Sequence, residues 1–152
     1  MTVELLGAAE HTLEKREFAA LYAEAQRFYA HQMRLLDAHD TGRWADTFTE
    51  DAVLELPFLP EPVPARTGLA RYERAGAARQ RRSGGSMNHW VGMLDVRPRA
   101  DGSLHTRCSA LVCATPGSGA KALYVCVMED VLVRAGGAWR IAHRRVTRDD
   151  LA

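Results

Sequence analysis

The chain has 152 residues, of which 47% are hydrophobic and 26% charged. That length and balance suit one globular domain with a sizeable core and exclude a globally disordered chain. A net charge of +1 supplies no field that would select nucleic acid or an acidic partner, and the basic run from Arg79 to Arg82 reads as a solvated helix end.

Residues 1–12 carry little pattern and are read as an N-terminal arm, followed by a single domain over 13–152. From about Leu13 to Asp40 the sequence predicts a long amphipathic helix, because Phe18, Tyr22, Ala25, Tyr29, Met33 and Leu36 recur at the spacing of one helical face. At about 100° per residue Tyr29 lies near the centre of that stripe, Asp37 at its margin and Asp40 near its middle. Unpaired charges are costly to bury, so these acids must be caps, be exposed or belong to a site. Asp40, Thr41 and Gly42 carry cap chemistry, and a short second helix follows over 43–48 with Trp44 and Phe48 on one side. A first strand over 52–57 is stopped by Pro57. The segment 58–67, with Pro60, Pro62 and Pro64, is an irregular loop that can sit over a cavity mouth. A third helix is expected over 68–82, with Leu69, Tyr72 and Gly76 on one face, and residues 83–86 break it. From Met87 the period becomes two, giving strands over 87–96, 104–114, 122–133 and 139–147 joined by short glycine-bearing turns. Helices followed by a meander predict an α+β fold, a curved antiparallel sheet with helices on one face.

Within that frame His89 shares a strand face with Met87, Val91 and Met93. An imidazole there can exchange protons near neutral pH, or serve as a core histidine bonded to a carbonyl. Asp40 is read as either a helix cap or the carboxylate that fixes a histidine's tautomer, with Asp37 able to fill the same role one turn earlier. Tyr29 is either core or a hydroxyl donor to a substrate oxygen. His105, Arg107, Ser109, Leu111 and Cys113 share one face of the next strand; if it looks inward, Arg107 is an anion or carbonyl clamp. Trp44, Trp90 and Trp139 suit packing, while Arg144, Arg145 and Arg148 suit the surface or an interface. Cys108, Cys113 and Cys126 lack disulfide or metal spacing and read as reduced residues of a cytoplasmic protein; no HxxxH or clustered carboxylate pattern argues for a metal. No signal-peptide pattern and no apolar run of bilayer length is present, so no membrane partner is expected.

The stretch from Leu35 to Val53, the segment from Arg66 to Tyr72 and the closing run from Gly136 to Val146 resemble the nuclear-transport-factor-2-like superfamily, over about Phe18 to Asp149. The likeness extends to its SnoaL-like group and to the β subunits of aromatic-ring dioxygenases. It implies a cone of curved sheet closed by three N-terminal helices. The segment from Met87 to Gly92 is similar to the one carrying a catalytic histidine of scytalone dehydratase, which implies that role for His89 and an orienting role for Asp40. The second histidine of that enzyme falls near Cys113, and the base aspartate of ketosteroid isomerase would fall on Leu56, so neither mechanism transfers whole. The resemblance implies a cofactor-free dehydratase, isomerase or cyclase of bacterial secondary metabolism acting on an apolar, oxygenated, polyketide-like or aromatic molecule. His89, Asp40, Asp37 and Tyr29 would be catalytic; Trp90, Arg107, Cys113 and Met33 would hold substrate. The alternatives are a non-catalytic subunit and a small-ligand binding protein. An exposed sheet face predicts self-association as a homodimer or homotrimer.

Overall fold

The computed structural model describes residues 2–148 and 150, so Asp149 and Ala152, where the resemblance and the expected domain end, lie outside the described residues. The elements in chain order are α1 (Thr2–Asp37), α2 (Thr41–Ala45), β1 (Phe48–Glu55), β2 (Val63–Pro64), α3 (Ala65–Ser83), β3 (Ser86–Pro98), β4 (Leu104–Thr115), β5 (Ala122–Ala135) and β6 (Ala138–Arg148). The helix predicted from about Leu13 begins at Thr2, and its described side chains up to Ala20 are all exposed. Its apolar stripe enters the core only at Leu21 and Tyr22, then runs inward through Ala25, Tyr29 and Met33. Among the described residues no helix is long and apolar enough to cross a membrane.

Six strands form one sheet in the order β2-β1-β6-β5-β4-β3. The meander from β3 to β6 is antiparallel, as short turns require. β1 lies parallel to β6, because α3 and β2 carry the chain back across the sheet before the meander starts. The second helix is shorter than expected: Phe48 already belongs to β1, although its ring still meets Trp44 with centroids 4.9 Å apart. The proline loop contributes β2 and then enters α3 at Ala65, not at Gly68.

Alternation along β4 settles which face looks inward. Leu104, Thr106, Cys108, Ala110 and Val112 are buried, while Arg107 and Leu111 are exposed. Two register shifts reset the alternation elsewhere. One in β3, between Gly92 and Asp95, turns Met93 outward at φ 53°, whereas Met87, His89 and Val91 face in. The other lies opposite Val131 and Leu132, where β6 carries one extra residue, Ala142. Ile141 and Arg144 can therefore both be buried. The helices cover this inner face, with Leu69, Phe48, Leu132 and Ile141 fully enclosed in one core cluster and Tyr29, Met33, Cys108 and Met128 in a second.

Candidate active site

The last turn of α1 meets β3, an edge strand of the sheet, and the two are joined by Asp37 and His89. Asp37 Oδ1 lies 2.6 Å from His89 Nδ1, and Asp37 Oδ2 accepts the backbone N–H of His89 at 3.1 Å. An edge strand has free backbone donors, and here one of them is used to grip a carboxylate. Asp37 sits where the helix dipole disfavours an anion, so its place depends on these two bonds. The chain then leaves the helix through His39 at φ 57°, with Asp40 N donating to Leu35 O. With Asp37 accepting the Nδ1–H, the neutral tautomer of this ring carries its lone pair on Nε2. Both side chains are mostly buried, at 15% and 23% exposure.

Asp40 does not take part. Its carboxylate accepts the backbone N–H of Arg43 at 3.4 Å as the cap of α2 and pairs loosely with the Arg43 side chain at 3.8 Å. The cap position fixes it half-exposed, and the carboxylate that holds the His89 ring is Asp37, not the expected Asp40.

His89 lies on the wall of a cavity of about 320 Å³, a volume within the range of small-molecule sites. Met33, Leu36, Leu54, Met87 and Val112 make the wall apolar, and Leu56, Pro57 and Phe58 bring the start of the proline loop to it. Into this lining α3 delivers Glu73 and Arg79. Burial pushes the Glu73 carboxyl up to about 7, against the downward pull of the His89 and Arg79 charges. Sequence reasoning missed Glu73, yet a signal was present: it stands midway between Leu69 and Ala77, 0% and 1% exposed, on one helical stripe. The buried Nδ1 of His39 and Nε1 of Trp44, two further cavity-lining residues, have no hydrogen-bond partner among the described residues.

Behind the cavity lies a buried ionic network. Arg144 Nε and Nη2 donate to Asp130 at 2.9 Å each, and Nη2 also donates to Gln32 Oε1 at 2.7 Å. Burial opposes the Arg144 charge, but the adjoining Asp130 carboxylate outweighs it and holds the guanidinium protonated. The expectation that Arg144 lies at the surface fails because of the extra residue in β6. The Tyr29 hydroxyl donates to Asp130 Oδ2 at 2.5 Å and meets Thr106 Oγ1 at 2.5 Å. Burial, then the Asp130 charge, raise its pKa well above the ordinary tyrosine value. Tyr29 is therefore committed to the network and is not free to donate to a ligand. The Cys108 thiol is pushed up to about 12 by burial and by Asp130, which makes it unreactive.

Three of the four expected substrate contacts lie elsewhere. Trp90 is 71% exposed on the outer face, Arg107 on that face pairs with Glu129 at 3.5 Å, and Cys113 shares its parity. Met33 alone lines the cavity. Among the described residues no three His, Cys, Asp or Glu side chains gather as a metal site.

Residues 17–145 match the family described as SnoaL-like domain. Aln2 from a Streptomyces species is 34% identical over 87% of this chain and 93% of its own, with a TM-score of 0.78. A protein from Catenulispora acidiphila, solved in complex with S-DNPA, is 31% identical over 87% of this chain and 96% of its own, with a TM-score of 0.75. The β subunit of benzoate 1,2-dioxygenase from Burkholderia mallei, 19% identical over 84% of this chain and 90% of its own with a TM-score of 0.72, shares the fold. No curated protein matches the chain in sequence.

Proposed function

Because the chain belongs to the SnoaL-like domain family, we propose that it is an acid–base enzyme that needs no cofactor and acts on an apolar, oxygenated small molecule held in the cavity. The observation that carries this reading is the pairing of Asp37 with His89 Nδ1 at 2.6 Å on the wall of a ligand-sized hollow. Asp37 fixes the imidazole so that Nε2 acts as base toward a C–H acidified by a neighbouring carbonyl. The apolar wall orients the ring system and excludes water. Proton removal of this kind begins a dehydration, an isomerisation or a cyclisation, and a polyketide-like skeleton fits the lining. The Catenulispora acidiphila protein, 31% identical to this chain, is solved in complex with S-DNPA, which supports a ligand in this fold.

The test is exchange of the α-protons of 1-tetralone into D2O, followed by NMR. The wild-type protein is expected to accelerate it. His89→Ala loses roughly 100-fold or more, Asp37→Asn loses part of the rate because the tautomer is no longer fixed, and Asp40→Ala exchanges like wild type. Normal exchange by His89→Ala ends the assignment.

The outer face suggests how the chain assembles. Trp90, Leu111 and Val125 are cross-strand neighbours in register and are 71%, 40% and 50% exposed. An apolar row of this kind fits burial against a second copy, in a homodimer or homotrimer.

A further inference from the structure

We propose that Glu73 is a second catalytic group of this cavity, the acid that protonates a departing hydroxyl while His89 takes the proton from the adjacent carbon. The proposal rests on the acid–base reading above and adds the group that makes the reaction a loss of water from a β-hydroxyketone. Glu73 and His89 come from different elements, α3 and β3, and line the same hollow. Among the described residues no hydrogen bond or ion pair takes up the Glu73 carboxyl, and what acts on it is burial and the charges of His89 and Arg79. A carboxyl on the Leu69–Ala77 stripe with nothing to hold serves no packing purpose. One that faces a cavity beside a histidine has a partner when a hydroxylated ligand is present.

The step balances within the site. His89 Nε2 accepts the α-proton, the C–H electron pair becomes the new double bond, and the Cβ–O bond breaks with its pair on oxygen. That oxygen takes the Glu73 proton and leaves as water. The product is an enone, or an aromatic ring where the skeleton allows, and the imidazolium and carboxylate return to their starting states by exchanging a proton through solvent. The titratable groups that line the hollow with Glu73 are Tyr72 and Arg79 from its own helix, His89 from β3, His39 from the turn after α1, Tyr124 and Cys126 from β5, and Arg144 and Arg148 from β6. Arg148 is engaged with Asp150 at 2.9 Å and Arg144 with Asp130, and the charges that lower the Glu73 carboxyl are those of His89 and then Arg79. Burial overrides both and raises the carboxyl to about 7, so it still carries its proton near neutral pH.

A matched pair of probes tests the role. Both 3-hydroxy-1-tetralone and 3-acetoxy-1-tetralone give 1-naphthol by elimination, but only hydroxide needs a proton to leave; acetate departs as the anion. Glu73→Gln is expected to lose about 100-fold on the hydroxy probe with little change in KM, and to keep the rate on the acetoxy probe. The alkaline fall of the wild-type hydroxy-probe profile disappears with it. His89→Ala loses both probes. If Glu73→Gln handles the hydroxy probe like wild type, or loses both probes alike, the assignment of Glu73 is overturned while the His89 reading stands. If the wild-type protein converts neither probe, both fall. Carboxyl 13C NMR gives a readout that needs no turnover: the resonance absent from Glu73→Gln must titrate near neutral pH, and titration with the ordinary glutamates overturns the proposal.

Discussion

Replacing Tyr29 by phenylalanine separates architecture from chemistry at the most buried hydroxyl of the first helix. The side chain is 2% exposed, and its oxygen makes contacts of 2.5 Å to Asp130 and Thr106. Phenylalanine keeps the ring, so no cavity beyond one oxygen forms. A hydrogen bond to an ionised group contributes roughly 1.5–3 kcal/mol. Asp130 keeps its two bonds from Arg144 and is not orphaned, which places the loss near 2 kcal/mol on that scale. For a chain of this length that corresponds to a fall in Tm of about 4–8 °C. The hydroxyl also leaves a mark on alkaline stability. Its folded pKa lies above the unfolded value, so its contribution is complete below about pH 10 and is lost as pH rises from there. Tyr29→Phe should lack that part of the alkaline decline and keep the part due to Cys108, whose pKa is raised by the same environment. Urea unfolding between pH 7 and 11 measures both effects, and 1-tetralone exchange per folded molecule should stay within about threefold of wild type, since no proton of the reaction passes through Tyr29. A variant with wild-type stability and a 100-fold slower exchange would show that the hydroxyl serves a ligand, and the network account would be wrong.

Two further outcomes follow from charge and exposure. The Glu73 carboxyl, raised by burial to about 7 from the ordinary 4.5, makes folding less favourable as pH climbs through that window, because the unfolded chain releases its proton first. The penalty above pH 8 is roughly 3 kcal/mol at about 1.4 kcal/mol per pKa unit, so Glu73→Gln should match wild type near pH 4.5 and exceed its stability at pH 8; equal urea midpoints at both pH values would refute the burial argument. On the outer face, Trp90→Lys should shift the protein toward monomer in sedimentation velocity at micromolar concentration, and an unchanged mass would show that the Trp90–Leu111–Val125 row is not the contact.

Most of the architecture was legible because period and punctuation agreed. The stripe from Tyr22 to Met33 and the alternation of β4 and β5 each pointed to one face, and glycine-bearing turns separated the strands. What escaped were parity resets. Strict alternation from Ile141 sends Arg144 outward, and only the extra residue opposite Val131 and Leu132 brings it in. Counting along β3 from His89 places Met93 inside, and the shift after Gly92 puts it out. A bulge carries no composition of its own, so the pattern alone does not reveal it. Asp130 was the readable warning: it follows Cys126 and Met128 on the inner parity of an apolar strand, and a carboxylate there requires a cation facing it. Within the site, His89 followed from its strand face and its neighbours. The choice between Asp37 and Asp40 needed the helix end, because one residue in left-handed conformation, His39, separates a carboxylate aimed at the sheet from one that caps the next helix.

The acids of the inner face are satisfied to different degrees, and the contrast bears on the proposed chemistry. Asp130 is 3% exposed, yet its charge is balanced by a bidentate guanidinium and a hydroxyl, so it gains nothing from a visitor. Asp37 is likewise satisfied at both oxygens, by one ring and one backbone N–H, which leaves Nε2 of the imidazole outside this pairing. Glu73 has no such partner among the described residues, and it lines the hollow that the imidazole also lines. A chain selected for stability alone would carry glutamine or leucine there, because removing the carboxyl stabilises the fold at neutral pH and above. A buried acid and an oriented imidazole lining one hollow are the two groups that the proposed two-proton step needs.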